Sequence, residues 1–260
     1  AAESARVLAD AGVRLFAVSN IIEAIELRQA EIAGEILILG YTPTEQLPLL
    51  TEYDIMQAVV SAEDAARIAA QAPDVRVQYA IDTGMNRIGL DADDPAACEA
   101  VIRQYKLHVD GMFTHLCVAD TDTPECRSFT QEQIAKFEAV ADRLADLALP
   151  YVHCLNSAGG LWQNTKYNQI ARLGIVMYGL KPDYANTLPA GIQPVLEWKS
   201  VVSMVKTLHA GETVGYGRTY RAAHEMTLAT ILGHIIKEEV FEPFEGIASR
   251  GRRGSASGEH

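Results

Sequence analysis

Residues 15–29, LFAVSNIIEAIELRQ, contain the unit from which the whole fold is predicted. The apolar run Leu15–Val18 is typical of a short buried strand, and Asn20 followed by Glu23 resembles a capping box that starts a helix. Comparable apolar runs recur along the chain, most of them separated by helical patterns. The predicted strands are Leu15–Val18, Ile36–Leu39, Met56–Val60, Val75–Ile81, Val109–Thr114, Val152–Leu155 and Ala171–Met177.

Further helix starts follow several of these strands. The segment 131–148 carries its apolar residues on one stripe, as expected of an amphipathic helix that covers a sheet. Three more capping boxes are predicted, from Thr42-Pro43 with Glu45, Ser61 with Asp64, and Thr130 with Gln133.

Repeated strand-then-helix units predict a parallel sheet, which is either doubly wound or closed into an eight-stranded barrel. In a barrel the carboxyl ends of the strands converge on one face, and polar residues follow several predicted strands here. We therefore predict an α/β fold over residues 1–184, a (β/α)8 TIM-type barrel that lacks its first βα unit. The polar positions are Ser19, Asp82–Arg87, His115, Asn156-Ser157 and Tyr178-Gly179.

The pattern changes after about residue 185. Leu196–Leu208 and Met226–Ile231 are rich in strand formers without a helix between them, which predicts the start of a C-terminal antiparallel β domain over residues 185–231. Residues 232–260 lose hydrophobic periodicity and are predicted to be disordered. Because the chain begins without Met and within a helical pattern, we expect that sequence upstream of residue 1 has been lost.

The composition is that of a globular protein with a small-molecule partner. Of 260 residues, 48% are hydrophobic, and the net charge of −12 argues against nucleic-acid binding, which depends on clustered Lys and Arg. The four cysteines form no C-x-x-C pair, so we expect buried free thiols rather than a zinc site or disulfides. Since no apolar run approaches the roughly 20 residues of a membrane span and no signal-peptide pattern is present, we expect these 260 residues to be cytoplasmic and to make no membrane contact themselves.

Four cationic or titratable residues stand near predicted strand ends. Arg87 lies in residues 82–89, DTGMNRIG, which form either a plain loop or an anchor for a carboxylate or phenolate. His115 and His153 are each either a hydrogen-bonded structural residue or a general base. Arg172 lies in an otherwise buried predicted strand, so it needs a partner, either a ligand atom or a neighbouring side chain.

Two further segments have the composition of binding or catalytic loops. Residues 156–160, NSAGG, form either a simple helix N-cap or a phosphate cradle of small residues and backbone N–H groups. In residues 214–220, VGYGRTY, Tyr216 lies between two glycines. It is either a turn aromatic or a proton donor or acceptor.

Taken in chain order, these stretches resemble the alanine racemase family. The matching segments are FAVS, ILILG, DTGMNRIG, THL, VHCLNSAG, ARLGIVMYGL and VGYGRTY, which together span roughly residues 1–231. Their ordered combination is highly specific. The ILILGYTP stretch is also similar to the racemase domain of membrane-bound serine/alanine racemases.

The resemblance implies a homodimeric enzyme that uses pyridoxal 5'-phosphate, with shared active sites and a barrel followed by a β domain. Such an enzyme interconverts L- and D-alanine, or serine, by moving the α-proton between two bases, and so supplies D-amino acid for peptidoglycan. The two bases are a Schiff-base lysine and, by match to VGYGRTY, Tyr216 from the partner subunit.

The other candidate residues receive roles by the same match. Arg172 corresponds to the arginine that faces the pyridine nitrogen, and His153 to the histidine that supports it. His115 corresponds to a histidine near the tyrosine base, and Arg87 to an arginine that helps to hold the substrate carboxylate. The cofactor phosphate is expected at Ser157, Gly174 and Ile175, with Asn156 beside them.

The chain departs from the family pattern at three places. The family's lysine lies in a KADAYGHG-like motif on the first barrel strand; that motif is absent, and the seven lysines present fall elsewhere. After Thr230-Ile231 the family's GYADG-like and CMDQ-like segments do not follow, which implies an incomplete β domain. Ala80 stands where some members have a carbamylated lysine that orients the arginine. Without the Schiff-base lysine, we expect this chain alone not to racemise.

Three alternatives stay open. Another barrel-type pyridoxal-phosphate enzyme, such as a basic amino-acid decarboxylase, is disfavoured by the VGYGRTY segment. A non-catalytic, single-domain pyridoxal-phosphate carrier is disfavoured by the start of a β domain. A gene remnant without a stable fold is the third alternative, because an open barrel exposes two strand edges.

Overall fold

The computed structural model describes residues 2–183, 188–195, 197 and 199–231. These residues fall into two compact units, within 1–195 and 196–260. The predicted disordered tail, 232–260, lies outside the described residues. No helix in the described part of the chain is both long and apolar enough to cross a bilayer.

The first unit is a parallel sheet with helices between its strands, which confirms the α/β barrel-type prediction. The strands pair in the order β1-β2-β3-β4-β6-β7, and β5 adds to β4. The strands are β1 (Leu15–Val18), β2 (Glu35–Ile38), β3 (Met56–Val59), β4 (Arg76–Asp82), β5 (Leu90–Asp91), β6 (His108–Phe113) and β7 (Tyr151–His153). The two-residue strand β5 was not predicted, since a run this short carries no periodicity.

Seven α-helices and three short 3-10 helices connect or follow these strands in the described part of the first unit. The α-helices are α1 (Ala2–Asp10), α2 (Ile21–Gln29), α3 (Leu47–Glu52), α4 (Ala62–Gln71), α5 (Pro95–Gln104), α6 (Pro124–Arg143) and α7 (Ser157–Trp162). The 3-10 helices are Thr44–Gln46, Ala145–Leu147 and Ile175–Tyr178.

Side chains of the strands alternate between two hydrophobic clusters, as the two-residue period of a strand requires. On β2, Ile36 and Ile38 pack in the large cluster that also contains Ala24, Leu27 and other helix residues. The neighbouring Leu37 points to the opposite face, the barrel interior. That smaller cluster is completed by Met56, Ala58, Ala80 and Phe113.

Two of the predicted helix caps are confirmed and two are wrong. The Asn20 side chain accepts a hydrogen bond from the Glu23 N–H, and Ser61 accepts one from the Asp64 N–H. Thr42 instead donates its hydroxyl hydrogen to the buried Gln57 amide oxygen at 2.6 Å, and a 3-10 helix follows without a side-chain cap.

The fourth cap is wrong because α6 begins earlier than predicted. Thr123 caps this helix, and Pro124 occupies its first turn, where a missing N–H costs nothing. Thr130 and Gln133 therefore lie inside α6, and both are buried. The helix ends at Arg143 rather than near residue 148.

The predicted strand Ala171–Met177 is wrong. A single parallel bridge joins Ala171 to Leu155, and the Arg172 N–H donates to the Leu155 carbonyl oxygen. Gly174 then turns the chain (φ −115°, ψ −92°), and a 3-10 helix, Ile175–Tyr178, follows. The apolar run therefore leaves the sheet after one residue, because Gly174 N–H bonds to the Ser157 hydroxyl instead of to a neighbouring strand.

The second unit contains antiparallel strands, as predicted. The strand β8 (Val202–Leu208) pairs with β11 (Met226–Ile231), and β9 (Thr213–Val214) pairs with β10 (Tyr220–Arg221). Tyr216–Arg218 form a 3-10 turn between β9 and β10.

An ionic cluster joins three strands of the first unit at their amino ends. On β4, Arg76 donates to the Asp110 carboxylate of β6 at 2.6 Å and to the Glu35 carboxylate of β2 at 2.8 Å. Both hydrogen bonds favour the charged guanidinium and raise the pKa of Arg76. The cluster fixes the relative height of the strands at the end opposite to their carboxyl ends.

We expect Arg76→Met to lower the free energy of unfolding by about 1–3 kcal/mol, because the nearly buried Asp110 carboxylate loses its charged donor. Urea denaturation followed by circular dichroism measures this change. Arg127→Met is the matched control, since Arg127 pairs with Asp122 on the exposed surface and such pairs contribute about 1 kcal/mol or less. If both variants lose the same stability, the cluster does not hold the strands together.

Candidate active site

A cavity opens at the carboxyl ends of the barrel strands. Its walls come from the ends of β2, β4 and β6, from the loop that follows β4, and from Arg172. Ligands of barrel folds bind at this end of the sheet. The lining residues are Leu39, Ala80, Ile81, Asp82, Met85, Arg87, Ile88, Phe113, Thr114, His115 and Arg172. Three of the predicted site residues, Arg87, His115 and Arg172, therefore share one cavity.

The guanidinium of Arg172 is the central group of this cavity. It donates to His153 Nδ1 at 2.5 Å and to the Thr114 carbonyl oxygen at 2.5 Å, and its carbon lies 5.4 Å from the centre of the Phe113 ring. The residue keeps some solvent exposure, but its guanidinium is surrounded by protein, and this burial lowers the pKa of Arg172 to about 10. Among the described residues no carboxylate pairs with it, so Arg172 is a buried cation held by neutral acceptors.

His153 is fully buried and links Arg172 to the sheet. Its ring stacks on Phe113, and its Nε2 lies 2.8 Å from the Gln78 amide oxygen. Burial, and then the charge of Arg172, lower the pKa of His153 well below the ordinary value of 6.5. Because an arginine can only donate, Nδ1 must be the acceptor and Nε2 must carry the single ring proton.

His115 lies on the other side of the Arg172 guanidinium, with its Nδ1 at 3.5 Å from Nη2. Burial lowers the pKa of His115 to about 4, and the charges of Arg172 and Arg87 add to this effect. His115 is therefore neutral at physiological pH, and it can accept a proton only when a nearby negative charge offsets the two arginines.

The loop that carries Arg87 is held in place by Asp82. The Asp82 carboxylate accepts the backbone N–H groups of Gly84 at 2.9 Å and Asn86 at 3.0 Å, which closes a tight turn directly after β4. The Arg87 side chain is exposed, lines the cavity, and pairs with no carboxylate among the described residues. It is therefore free to bind an anion from the cavity side.

The buried side chain of Gln133 links the segments that follow β4 and β6 by hydrogen bonds. Gln133 on α6 donates to the Thr83 hydroxyl and to the His115 carbonyl oxygen, both at 3.2 Å, and accepts the Cys117 N–H at 3.0 Å. Gln133 was predicted only as a cap residue, and Gln78 was not predicted to have a role. For both glutamines, the only signal in the sequence was a polar amide within an otherwise apolar pattern.

The predicted phosphate-binding positions lie together at the start of α7. Asn156 caps this helix by accepting the Gly159 N–H at 2.9 Å, and the Ser157 hydroxyl accepts the Gly174 N–H at 2.9 Å. A side chain at Gly174 would meet nothing within 4 Å, so open space lies beside this pair of residues. Ile175 follows with an exposed side chain.

Tyr216 belongs to the second unit, where its side chain is fully exposed. The flanking Gly215 (φ 71°) and Gly217 (φ 72°) both adopt the left-handed conformation that glycine tolerates best, so they form a turn that presents the tyrosine to solvent. No hydrogen bond of its hydroxyl group lies within the described residues. Of the predicted site residues, Tyr216 is the one that the first unit does not contain.

No lysine lines the cavity formed by the described residues. Lys136 pairs with Asp93 and Glu132, and Lys166 pairs with Asp142, all at the protein surface. The described residues also contain no cluster of three or more His, Cys, Asp or Glu side chains that could hold a metal ion. The cavity thus offers an anionic ligand two cations, a neutral histidine and apolar walls, while the lining carboxylate of Asp82 already accepts two backbone N–H groups.

Comparison with known proteins gives a consistent result. The family model of the alanine racemase N-terminal domain matches residues 1–182, and that of the C-terminal domain matches residues 195–233. An alanine racemase from Streptococcus uberis is 38% identical over 227 residues, which are 85% of this chain and 61% of that protein. The chain spans 59% to 61% of the length of such curated relatives.

Solved structures show the same likeness. An alanine racemase from E. faecalis superposes with a TM-score of 0.68 and 34% identity, over 89% of this chain and 63% of that chain. A histidine racemase from Leuconostoc mesenteroides superposes with a TM-score of 0.63 and 27% identity, over 88% and 63% of the two chains.

The depressed pKa of His115 predicts a specific dependence of stability on pH. Between pH 6.5 and about pH 4 the unfolded histidine binds a proton that the folded one does not, so stability present above pH 6.5 is lost as the pH falls. In His115→Gln we expect a shallower loss, by up to about 1.4 kcal/mol per pH unit, in urea denaturation at several pH values. His224→Gln, at an exposed position of the second unit, provides the baseline. Equal slopes for the unchanged chain and His115→Gln would contradict the assignment.

Proposed function

Because this chain belongs to the alanine racemase family, we propose that it forms the barrel and part of the β domain of a racemase. The substrate is alanine or serine, the cofactor is pyridoxal 5'-phosphate, and the D-amino acid produced serves peptidoglycan synthesis. The observation that carries the proposal is Arg172, a buried cation with neutral partners, which lines a cavity together with Arg87 and His115.

The described residues fit this cofactor at two points. Open space beside Ser157 and Gly174 suits a phosphate group, because the Ser157 hydroxyl accepts the Gly174 N–H and can donate its own hydrogen to a phosphate oxygen. Arg172 offers N–H donors to a ring nitrogen. When bound, pyridoxal phosphate withdraws electrons from the substrate α-carbon, so that the α-hydrogen becomes removable as a proton.

Arg172 would act as a donor that keeps its proton. With a pKa of about 10 it stays charged at neutral pH, so it hydrogen-bonds to the ring nitrogen without protonating it. His153, as a neutral acceptor, orients the guanidinium, and Phe113 packs against both side chains. Because the ring nitrogen would not be protonated, less of the negative charge left by α-proton removal would move into the pyridine ring. The reaction would therefore stay close to simple proton exchange at the α-carbon.

Arg87 and His115 would handle the substrate side of the cavity. Arg87 is exposed, lies on a turn fixed by Asp82, and can pair with the substrate carboxylate. His115 stays neutral and can accept a hydrogen bond from the tyrosine base. The second base, Tyr216, would act in the active site of a partner subunit within a homodimer, which suits a tyrosine presented to solvent by a glycine turn.

The lysine that the reaction needs on the other face of the substrate does not come from the residues that line this cavity. We therefore propose that residues 1–260 alone do not racemise, whereas a chain that also carries a family-type first strand with its lysine does.

The test measures racemisation of L-alanine, L-serine and L-histidine with added pyridoxal phosphate, together with absorbance of the bound cofactor. The third substrate is included because a structural neighbour is a histidine racemase. Activity only in the extended chain supports the proposal. Activity of residues 1–260 would mean that one of their lysines serves as the base, and cofactor binding without turnover in either chain would favour a non-catalytic carrier.

We expect Arg172→Ala in the extended, active chain to lower kcat by about 100-fold or more, the loss typical of a removed charged donor in an active site. The far-ultraviolet circular dichroism spectrum should stay unchanged. Lys166→Ala, which removes a surface ion pair instead, serves as the control. Full activity of Arg172→Ala would refute the role of this arginine.

The shared active site can be tested by mixing two inactive variants of the extended chain. A heterodimer of Arg172→Ala and Tyr216→Phe contains one site in which both mutations meet and one site that is intact. Random exchange of subunits should therefore restore about a quarter of the unmutated activity. No recovery, although subunit exchange is verified by mass spectrometry, would place Tyr216 in the active site of its own subunit.

A further inference from the structure

We propose that Gln78 is a positioning residue that fixes the orientation and the tautomer of His153, so that His153 can accept a hydrogen bond from Arg172. This positioning role depends only on the side chains of Gln78, His153 and Arg172. Its importance for catalysis rests on the proposed function.

The three side chains form a buried series across two strands and the segment that follows them. Gln78 lies on β4 and His153 on β7, and both are fully buried. The Gln78 amide oxygen is 2.8 Å from His153 Nε2, and His153 Nδ1 is 2.5 Å from Arg172 Nη1. Arg172 lines the cavity, whereas Gln78 and His153 do not. The two residues therefore contact the guanidinium on its side away from the cavity.

Chemistry fixes the direction of every hydrogen bond in this series. Arg172 donates, so His153 Nδ1 accepts and Nε2–H donates to the amide oxygen of Gln78. The amide nitrogen of Gln78 then points to the Met56 sulfur at 3.5 Å, and a thioether can only accept. Turning the Gln78 amide over would place its N–H group against the Nε2–H of His153. Only one orientation of this amide therefore fits the series of hydrogen bonds.

An amide, rather than a carboxylate, is needed at position 78. A carboxylate would favour the doubly protonated histidine, whose Nδ1–H would face the Arg172 guanidinium, donor against donor and cation against cation. Among the described residues, the charged or titratable groups beside this ring are Arg172, which bonds to Nδ1, and His115 on the other side of that guanidinium. Neither is a carboxylate, so a carboxylate at position 78 would bring the first negative charge to the described surroundings of this ring.

The test is the proton count of His153, measured by NMR of the 260-residue chain with 15N-labelled histidine. The His153 signals are identified by their loss in His153→Phe. In the unchanged chain we expect one ring proton, on Nε2, from about pH 5 to pH 8. In Gln78→Glu we expect a second ring proton within this range, with the His153 pKa higher by about one to three pH units.

Two further variants separate this role from a structural one. In Gln78→Met the ring should stay singly protonated, but its Nε2–H should exchange faster with water because the acceptor is gone. Gln57→Glu is the matched control, since Gln57 is an equally buried glutamine on the neighbouring strand β3 whose partners include no histidine. The His153 signals should not change in this control.

The extended chain adds a kinetic measurement. In Gln78→Glu we expect kcat to fall at neutral pH and to recover as the pH rises through the new His153 pKa, with little change in KM. Gln78→Met should show no such recovery.

Several results would overturn the inference. A proton on Nδ1 of His153 in the unchanged chain would do so, even if both Gln78 variants failed to fold. An unchanged proton count in folded Gln78→Glu would also do so. Failure of the proposed function is distinct: no pyridoxal phosphate would bind to any form, while the protonation state of His153 would still follow residue 78.

Discussion

The guanidinium of Arg172 is held inside the carboxyl end of the barrel by neutral acceptors. It bonds to His153 Nδ1 and to the Thr114 carbonyl oxygen, and it packs against Phe113. Burying a charge without an opposite charge is costly, so the surrounding strands must fix these acceptors accurately. The neutral states of His153 and His115 follow first from the burial of their rings, and the charge of Arg172 adds to this effect at both.

Much of the fold could be predicted from periodicity. Six of the seven predicted strands exist within a few residues of their predicted bounds, and the antiparallel pair β8 and β11 was also expected. Ala171–Met177 failed because an apolar run does not reveal that Gly174 turns away from the sheet. The Thr130 cap failed because the true start, Thr123-Pro124, lies seven residues earlier on a longer helix.

The candidate site was predicted in part. Arg87, His115 and Arg172, which were chosen from sequence, line one cavity, and Ser157 contacts Gly174, whereas the roles of these residues stay predictions. Gln78 and Gln133 could not be found from sequence, because a single buried amide has no pattern and its partners are distant along the chain. The place of Tyr216 in the reaction remains a proposal, since it depends on a second unit and on a partner subunit.

The ionic cluster around Arg76 lies at the amino ends of the strands, away from the cavity. This ionic cluster therefore lies at one end of the barrel and the cavity at the other, as in barrel folds whose ligands bind at the carboxyl ends of the strands. Such a separation lets the loop after β4 and the residues beside Arg87 vary without loosening the strands that carry them. An evolving lineage, or a designer, can thus change the residues that line this cavity while the framework stays the same.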